Sequence, residues 1–116
     1  KTTGGDVLSG VPTAILINEG SASASEILAG ALREQRDNVR LFGKKSFGKG
    51  SVQELVSVTR DASVKITVAK WLTPKGNQIH KVGIAPDEEV SISRDDITGK
   101  RDPQLDKAIE WLGSVR

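Results

Sequence analysis

Three serines, Ser21, Ser23 and Ser25, alternate with alanines in the run Asn18-Glu19-Gly20-Ser21-Ala22-Ser23-Ala24-Ser25-Glu26. A lysine, Lys49, lies between two glycines in Gly43-Lys44-Lys45-Ser46-Phe47-Gly48-Lys49-Gly50. A hydroxyl and an amine together can carry out acyl transfer. The hydroxyl must lose its proton to attack a carbonyl, and a neutral lysine takes that proton when burial lowers its pKa from about 10.4. Ala22 and Ala24 leave room for a substrate backbone, and the Ala24 N–H can donate to an oxyanion. Ser21 and Ser25 are rival nucleophiles to Ser23. Gly48 and Gly50 permit a close approach of the lysine loop.

The elements around these residues suit that use. The apolar run Ala14-Ile15-Leu16-Ile17 reads as a strand over 12–18, nearly continuous in apolar residues and so expected at the centre of a sheet with both faces covered. Residues 24–36 read as a helix burying Ala24, Ile27, Leu28, Ala31 and Leu32, and Asp37-Asn38 breaks it. The serines therefore stand on a strand-to-helix turn, where a nucleophile is exposed and meets the free N–H groups of the first helical turn. Residues 39–42 read as a second strand, which completes a βαβ unit with a parallel pair. Residues 51–59 and 63–73 alternate in the strand manner, with Val52, Val56 and Val58 on one face and Val64, Ile66 and Val68 on the other strand's equivalent. Arg60-Asp61-Ala62 closes that hairpin. Pro74-Lys75-Gly76-Asn77 is a turn, and 78–92 an extended edge segment. A last helix opens at Asp102-Pro103 and repeats Leu105, Ile109 and Leu112 on one face. Residues 1–11 read as a loop.

Each chemical reading has a plainer one beside it. Ser23-Ala24-Ser25-Glu26 fits a capping box, with Ser23 as N-cap and Glu26 at N3. A Gly-Lys-Gly segment is also a solvated turn. Gly43-x-x-x-x-Gly48-Lys49 matches a phosphate-binding loop up to its last position, where Gly50 replaces the required Ser or Thr, and it opens onto a strand. Both departures argue against nucleotide binding. His80 is the only histidine, so a Ser-His-Asp triad would need it, and it reads as a surface residue. Trp71 and Trp111 read as core or groove-lining residues. The pairs Glu88-Glu89 and Asp95-Asp96 read as solvated.

Composition narrows the classes further. The 116 residues suffice for one domain with one core, built from aliphatics because aromatics make up only 3%. The 17 basic and 15 acidic residues are interspersed, which excludes a nucleic-acid-binding tail. The chain has no Cys, which excludes disulfides and thiolate chemistry, and a single His makes a zinc site improbable. No metal or cofactor is expected. No apolar run approaches the roughly 20 residues of a membrane span. The chain has no Met and begins at Lys1, which implies a processed or excised piece.

Two long motifs in order then resemble one family. Ser21-Ala22-Ser23-Ala24-Ser25-Glu26-Ile27 with the following Ala29-Gly30-Ala31-Leu32, and Ser46-Phe47-Gly48-Lys49-Gly50-Ser51-Val52-Gln53, resemble the C-terminal processing peptidases, or tail-specific proteases. Trp71-Leu72-Thr73-Pro74-x-Gly76, Gly83-Ile84-x-Pro86-Asp87 and Asp102-Pro103-Gln104-Leu105 are similar to later signatures of that family. The resemblance implies an α/β fold: a mixed sheet with a βαβ unit, a β-hairpin and a C-terminal helix, in a crotonase/Clp-like protease core. It implies a Ser/Lys serine endopeptidase acting on the C-terminal region of protein or peptide substrates, without nucleic acid. It assigns Ser23 as nucleophile, Lys49 as base and Gln53 as the residue assisting the lysine, which adds to the backbone donor at Ala24. Lys49 and Gln53 share a face if both lie in an extended strand.

The family also has a PDZ domain and an upstream catalytic segment, neither recognisable here. Residues 1–116 are therefore expected to form the nucleophile and lysine half of a catalytic domain, with an incomplete oxyanion hole and weak or no activity alone. The resemblance implies an extracytoplasmic location in the periplasm or cell envelope, and any homo-oligomer would form through the full-length protein. The rival expectation is a non-catalytic piece that binds a peptide or partner subunit by adding a strand to the 51–73 hairpin.

Overall fold

The computed structural model describes residues 4–115. Strand β1 (Thr13–Ile17) leads through helix α1 (Ala24–Gln35) to strand β2 (Val39–Gly43). The two strands pair in parallel, Thr13 opposite Val39 through Ile17 opposite Gly43, as the βαβ reading requires. The hairpin β3 (Ser51–Ser57) and β4 (Ser63–Lys70) follows, and then the two-residue strand β5 (Glu88–Glu89). Helices α2 (Arg94–Thr98) and α3 (Pro103–Ser114) close the chain. The parallel sheet runs β1-β2-β5, and the antiparallel hairpin forms a separate two-stranded sheet.

Strand β2, not β1, is the central strand, so the expectation of a doubly covered β1 is corrected. β2 is buried at Val39, Leu41, Phe42 and Gly43, while Leu16 of β1 is exposed at the sheet edge. The apolar run of β1 was a poor guide because its single alternating partner face is filled mainly by Ile15 and Ile17. Neighbouring residues of a strand point to opposite faces. Leu41 joins Ile17, Ala29, Val39, Ile79 and Ile84 in the core under α1. Phe42 instead meets Trp111 of α3, with ring centroids 5.8 Å apart. The two helices thus cover opposite faces of β2.

Both helices are rotated from the faces their apolar residues suggest. In α1 the buried positions are Glu26, Ala29 and Gly30; Ile27 and Leu32 pack half-buried against the core as expected, while Ala24 is exposed and Leu28 is 61% exposed. Small residues occupy the contact because α1 lies against the segment after the hairpin: a Cβ on Gly30 would come within 2.8 Å of Ile84 Cδ1 and 3.1 Å of Thr73 Cγ2. In α3 the buried positions are Gln104 and Ala108, and Leu105 and Ile109 are exposed. Its start is as read, with the Asp102 carboxylate accepting the Leu105 N–H at 3.0 Å and Pro103 in the first turn.

The hairpin turn falls where expected, Val58 and Thr59 both donating to the Ala62 carbonyl at 2.9 and 3.1 Å. β4 ends at Lys70, earlier than 73, and Leu72 bridges to Gln78 around the 74–77 turn. The register shifts between Val52 and Gln53, which leaves Val68 opposite no residue of β3. Segment 78–92 joins the sheet edge at β5 and at the residues flanking it, where the Val90 N–H donates to the Gly43 carbonyl at 2.8 Å. Just before β5, the Asp87 carboxylate accepts the Leu41 N–H and the Asp87 N–H donates to the Leu41 carbonyl, both at 2.8 Å. Helix α2, capped by Ser93, has no counterpart in the sequence reading. Residues 4–11 form loop and turn, held to α1 by Arg36, whose guanidinium reaches Asp6 and the Leu8 carbonyl. The loop reading of residues 1–3 lies outside the described residues. No helix among the described residues is long and apolar enough to cross a membrane.

Candidate active site

The turn between β1 and α1 is closed by short-range bonds. Asn18 Oδ1 accepts the Gly20 N–H at 2.9 Å, the Ser21 hydroxyl accepts the Asn18 N–H at 3.1 Å, and the Ser21 N–H donates to the Asn18 carbonyl at 2.9 Å. Ser23 follows as the N-cap of α1 with φ 55° and ψ −114°. A residue with a Cβ rarely adopts such a backbone, and holding one there costs about 1–3 kcal/mol. A serine strained in this way on a strand-to-helix turn carries its hydroxyl clear of the backbone. Ala24 begins the helix, and its N–H has no hydrogen-bond acceptor among the described residues.

Ser23 and Glu26 stand in the capping-box arrangement, with the Ser23 side chain facing the Glu26 backbone without a full cap hydrogen bond. The other half closes: Glu26 Oε2 accepts the Ser23 N–H at 2.9 Å. Glu26 does much more than cap. It is 1% exposed, and both carboxylate oxygens reach the lysine loop. Oε1 accepts the Ser46 hydroxyl at 2.5 Å and the Gly48 N–H at 2.6 Å. Oε2 accepts the Lys49 N–H at 2.9 Å. One buried carboxylate therefore joins the backbone of Ser23 to the backbone of Lys49. The sequence reading placed Glu26 only at N3 of a cap. The signal it passed over was an acid three residues after the strained serine, with a donor-rich Gly-Lys-Gly loop to satisfy.

The lysine loop is held from its other side by residues 79–84. Ser46 donates its N–H to the Ile84 carbonyl at 3.0 Å, and its hydroxyl accepts the Ile84 N–H at 2.7 Å. The Lys81 N–H donates to the Gly48 carbonyl at 2.8 Å. Gly48, at φ 90°, and Gly50 are required by this contact, since a Cβ on Gly50 would sit 2.5 Å from the His80 backbone nitrogen. The solvated-turn reading of this loop is thereby displaced.

The predicted site residues are brought together unequally. The backbones of Ser23 and Lys49 converge on Glu26, and the Phe47 N–H donates to the Ser21 carbonyl at 2.9 Å. Lys49 is exposed, so the burial expected of a lysine base is not present among the described residues. No hydrogen bond joins the Ser23 hydroxyl to the Lys49 amine among the described residues, and none joins Gln53 to Lys49. Gln53 lies on β3 opposite Thr67 and is exposed. His80 is not the surface residue expected: it is half-buried beside Gly50, with Nδ1 buried and lacking a partner among the described residues. Trp71 is exposed and only Trp111 packs on the core.

Comparison with known proteins decides the family, since the pattern of peptidase family S41 matches residues 1–90. The chain belongs to peptidase family S41. It is 44% identical over 114 residues to a carboxyl-terminal-processing protease of Synechocystis sp., which covers 96% of this chain and 26% of that protein. It is 53% identical over 75 residues to carboxy-terminal processing protease CtpA of Bacillus subtilis, covering 65% of this chain and 16% of that one. The solved photosystem II D1 C-terminal processing protease aligns with a TM-score of 0.65 at 41% identity, over 72% of this chain and 21% of that chain. The tricorn protease, at 24% identity and TM-score 0.71, shares the fold, over 85% of this chain and 10% of its own. The α/β architecture, a parallel sheet with an antiparallel hairpin and a closing helix, is thus that of S41 proteases. The chain spans about a quarter or less of the length of the relatives named here.

Proposed function

We propose that this chain carries the nucleophile and base of a serine endopeptidase that cleaves protein substrates near their C-termini. The observation that carries the reading is the strained backbone of Ser23 at the head of α1, joined through the Glu26 carboxylate to the backbone of Lys49. Ser23 Oγ attacks the scissile carbonyl and passes its proton to Lys49 Nζ. The tetrahedral oxyanion accepts from the Ala24 N–H. Lys49 returns the proton to the leaving amine, and water then hydrolyses the Ser23 acyl ester by the same route. Glu26 fixes the main chain at both ends of this transfer, and Gln53 orients the amine once Lys49 is covered. Membership of the processing-protease family supports an extracytoplasmic location, which cell fractionation tests.

The experiment is cleavage of an unfolded protein by the longest protein that contains this chain, with products read by mass spectrometry. Ser23→Ala and Lys49→Ala each abolish cleavage, while His80→Ala retains it. Normal cleavage by Lys49→Ala with loss in His80→Ala would overturn the dyad. A second reading has its own observation: β3 from Gln53 onward and all of β4 are exposed, and the two strands pair only with each other. A peptide could add as a third strand. Peptide affinity that survives Ser23→Ala, with no cleavage by the unsubstituted protein, would favour it.

A further inference from the structure

Phe47 is an exposed phenyl ring on a buried backbone. Its neighbours Ser46 and Gly48 are buried, yet Phe47 is 67% exposed. Three consecutive residues hold the main chain there: the Ser46 hydroxyl and Gly48 N–H donate to Glu26, and the Phe47 N–H donates to the Ser21 carbonyl at 2.9 Å. Burying a phenyl side chain is favourable. The fold forgoes that gain here, because the pinned backbone turns the ring outward.

The place is specific. Ser21 and Phe47 each stand two residues before the proposed reacting residues, Ser23 and Lys49, so their hydrogen bond runs alongside the gap between nucleophile and base. Across segments 18–25 and 43–50 every other side chain is small, polar or charged, and Phe47 is the one large apolar group. We infer that the Phe47 ring is the apolar wall of a subsite for a substrate side chain beside the scissile bond, selecting peptides with an aliphatic residue there over polar ones of equal size. This rests on the proposed reading of the site, because it takes Ser23 and Lys49 as the reacting pair.

Two fluorescein-labelled peptides, Ala-Ala-Leu-Ala-Ala and Ala-Ala-Asn-Ala-Ala, differ in polarity at nearly constant shape. Their binding to the Ser23→Ala variant of the longest protein that contains this chain is followed by anisotropy, without turnover. The leucine peptide binds about 10-fold tighter, as one apolar contact in a pocket provides. Adding Phe47→Ala brings the two peptides level, and adding Phe47→Leu keeps most of the difference. An unchanged urea midpoint verifies that the fold survives, as expected for an exposed ring whose pins are main-chain bonds. Equal binding of the two peptides, no binding of either, or a preference that persists in Phe47→Ala would overturn the subsite. Cleavage independent of Ser23 or Lys49, with the leucine preference intact, would instead overturn the dyad and leave the wall standing.

Discussion

Ser23 and Glu26 show how single residues set this site against stability. Ser23 holds φ 55° with a Cβ, and glycine adopts that region without the penalty. Ser23→Gly should therefore raise unfolding stability by about 1 kcal/mol while removing any cleavage, whereas Ser23→Ala keeps the strain and stays near neutral. Urea titration of the two variants checks this, and equal stability of both would mean that the turn is relaxed. Glu26 makes the opposite case. Its two oxygens accept four donors, and no other group could replace all four. In Glu26→Gln one oxygen becomes an amide nitrogen facing two donors, so either the Ser23 and Lys49 amides or the Ser46 hydroxyl and Gly48 amide lose their acceptor. Each stranded buried donor costs about 1–3 kcal/mol. With Ser23 and Lys49 as the proposed reacting pair, loosening the link between them should lower kcat about 100-fold with KM little changed. A lower urea midpoint with kcat intact would reduce Glu26 to a purely structural role. The serine turn and the Gly-Lys-Gly loop were legible as local motifs, but only the family resemblance singled out Ser23 from Ser21 and Ser25, and Lys49 from a solvated turn. Glu26 was visible only as a cap, because its partners on the lysine loop lie 20–23 residues away.

Elements fared differently from one another, and packing explains which. The βαβ unit, the hairpin and the Asp102 cap were readable because each is specified locally, by a short apolar run, a turn or a side-chain oxygen. The helix faces were not. Ala29 and Gly30 lie innermost in α1 because the segment 73–84 comes too close for anything larger, which pushes Leu28 outward. Periodicity of large apolar residues cannot register a contact made by small ones. The same segment is fastened to α1 by Glu34, which accepts the Lys75 N–H and the Asn77 amide, both at 2.8 Å. Burial acts to raise the Glu34 pKa. The bonds from Lys75, Thr73 and Asn77 and the Lys75 charge outweigh it, so the carboxyl titrates below its ordinary value of 4.5. A depressed folded pKa adds stability that is fully present above 4.5 and is lost as pH falls through the lower folded value. Glu34→Gln should therefore be slightly less stable than the parent at neutral pH, by a few tenths of a kcal/mol for so solvent-screened a group. The difference should close in acid. Thermal unfolding from neutral to strongly acidic pH measures it, and a gap that widens in acid would refute the Glu34 clamp.

At the scale of the whole molecule the hairpin sets the shape. The Cα radius of gyration is 17.7 Å, with extents of 57 × 41 × 23 Å, against about 13 Å expected for a compact chain of this length. The excess fits the hairpin, whose residues from Gln53 through Lys70 are all exposed. Its register gives it one apolar face: Val56 pairs with Val64, and Ile66 pairs with Glu54 two positions along, with Val52 and Val58 at the ends of the row. The other face carries Gln53 with Thr67, Leu55 with Lys65 and Ser57 with Ser63. An isolated two-stranded hairpin is marginally stable in water, so such a ribbon ordinarily rests its apolar side on something. Within this chain it does not, and the consequence is measurable. Ile66→Lys should change the unfolding free energy of the chain by no more than about 0.5 kcal/mol, as at other exposed sites. Placing the lysine against a covered face would leave an unpaired buried charge and cost several kcal/mol. Small-angle scattering on the same samples separates the cases. A radius near 18 Å with a neutral substitution is the extended ribbon described here. A radius near the compact value of about 13 Å, with a large loss of stability, would mean that the hairpin folds back on the sheet in solution.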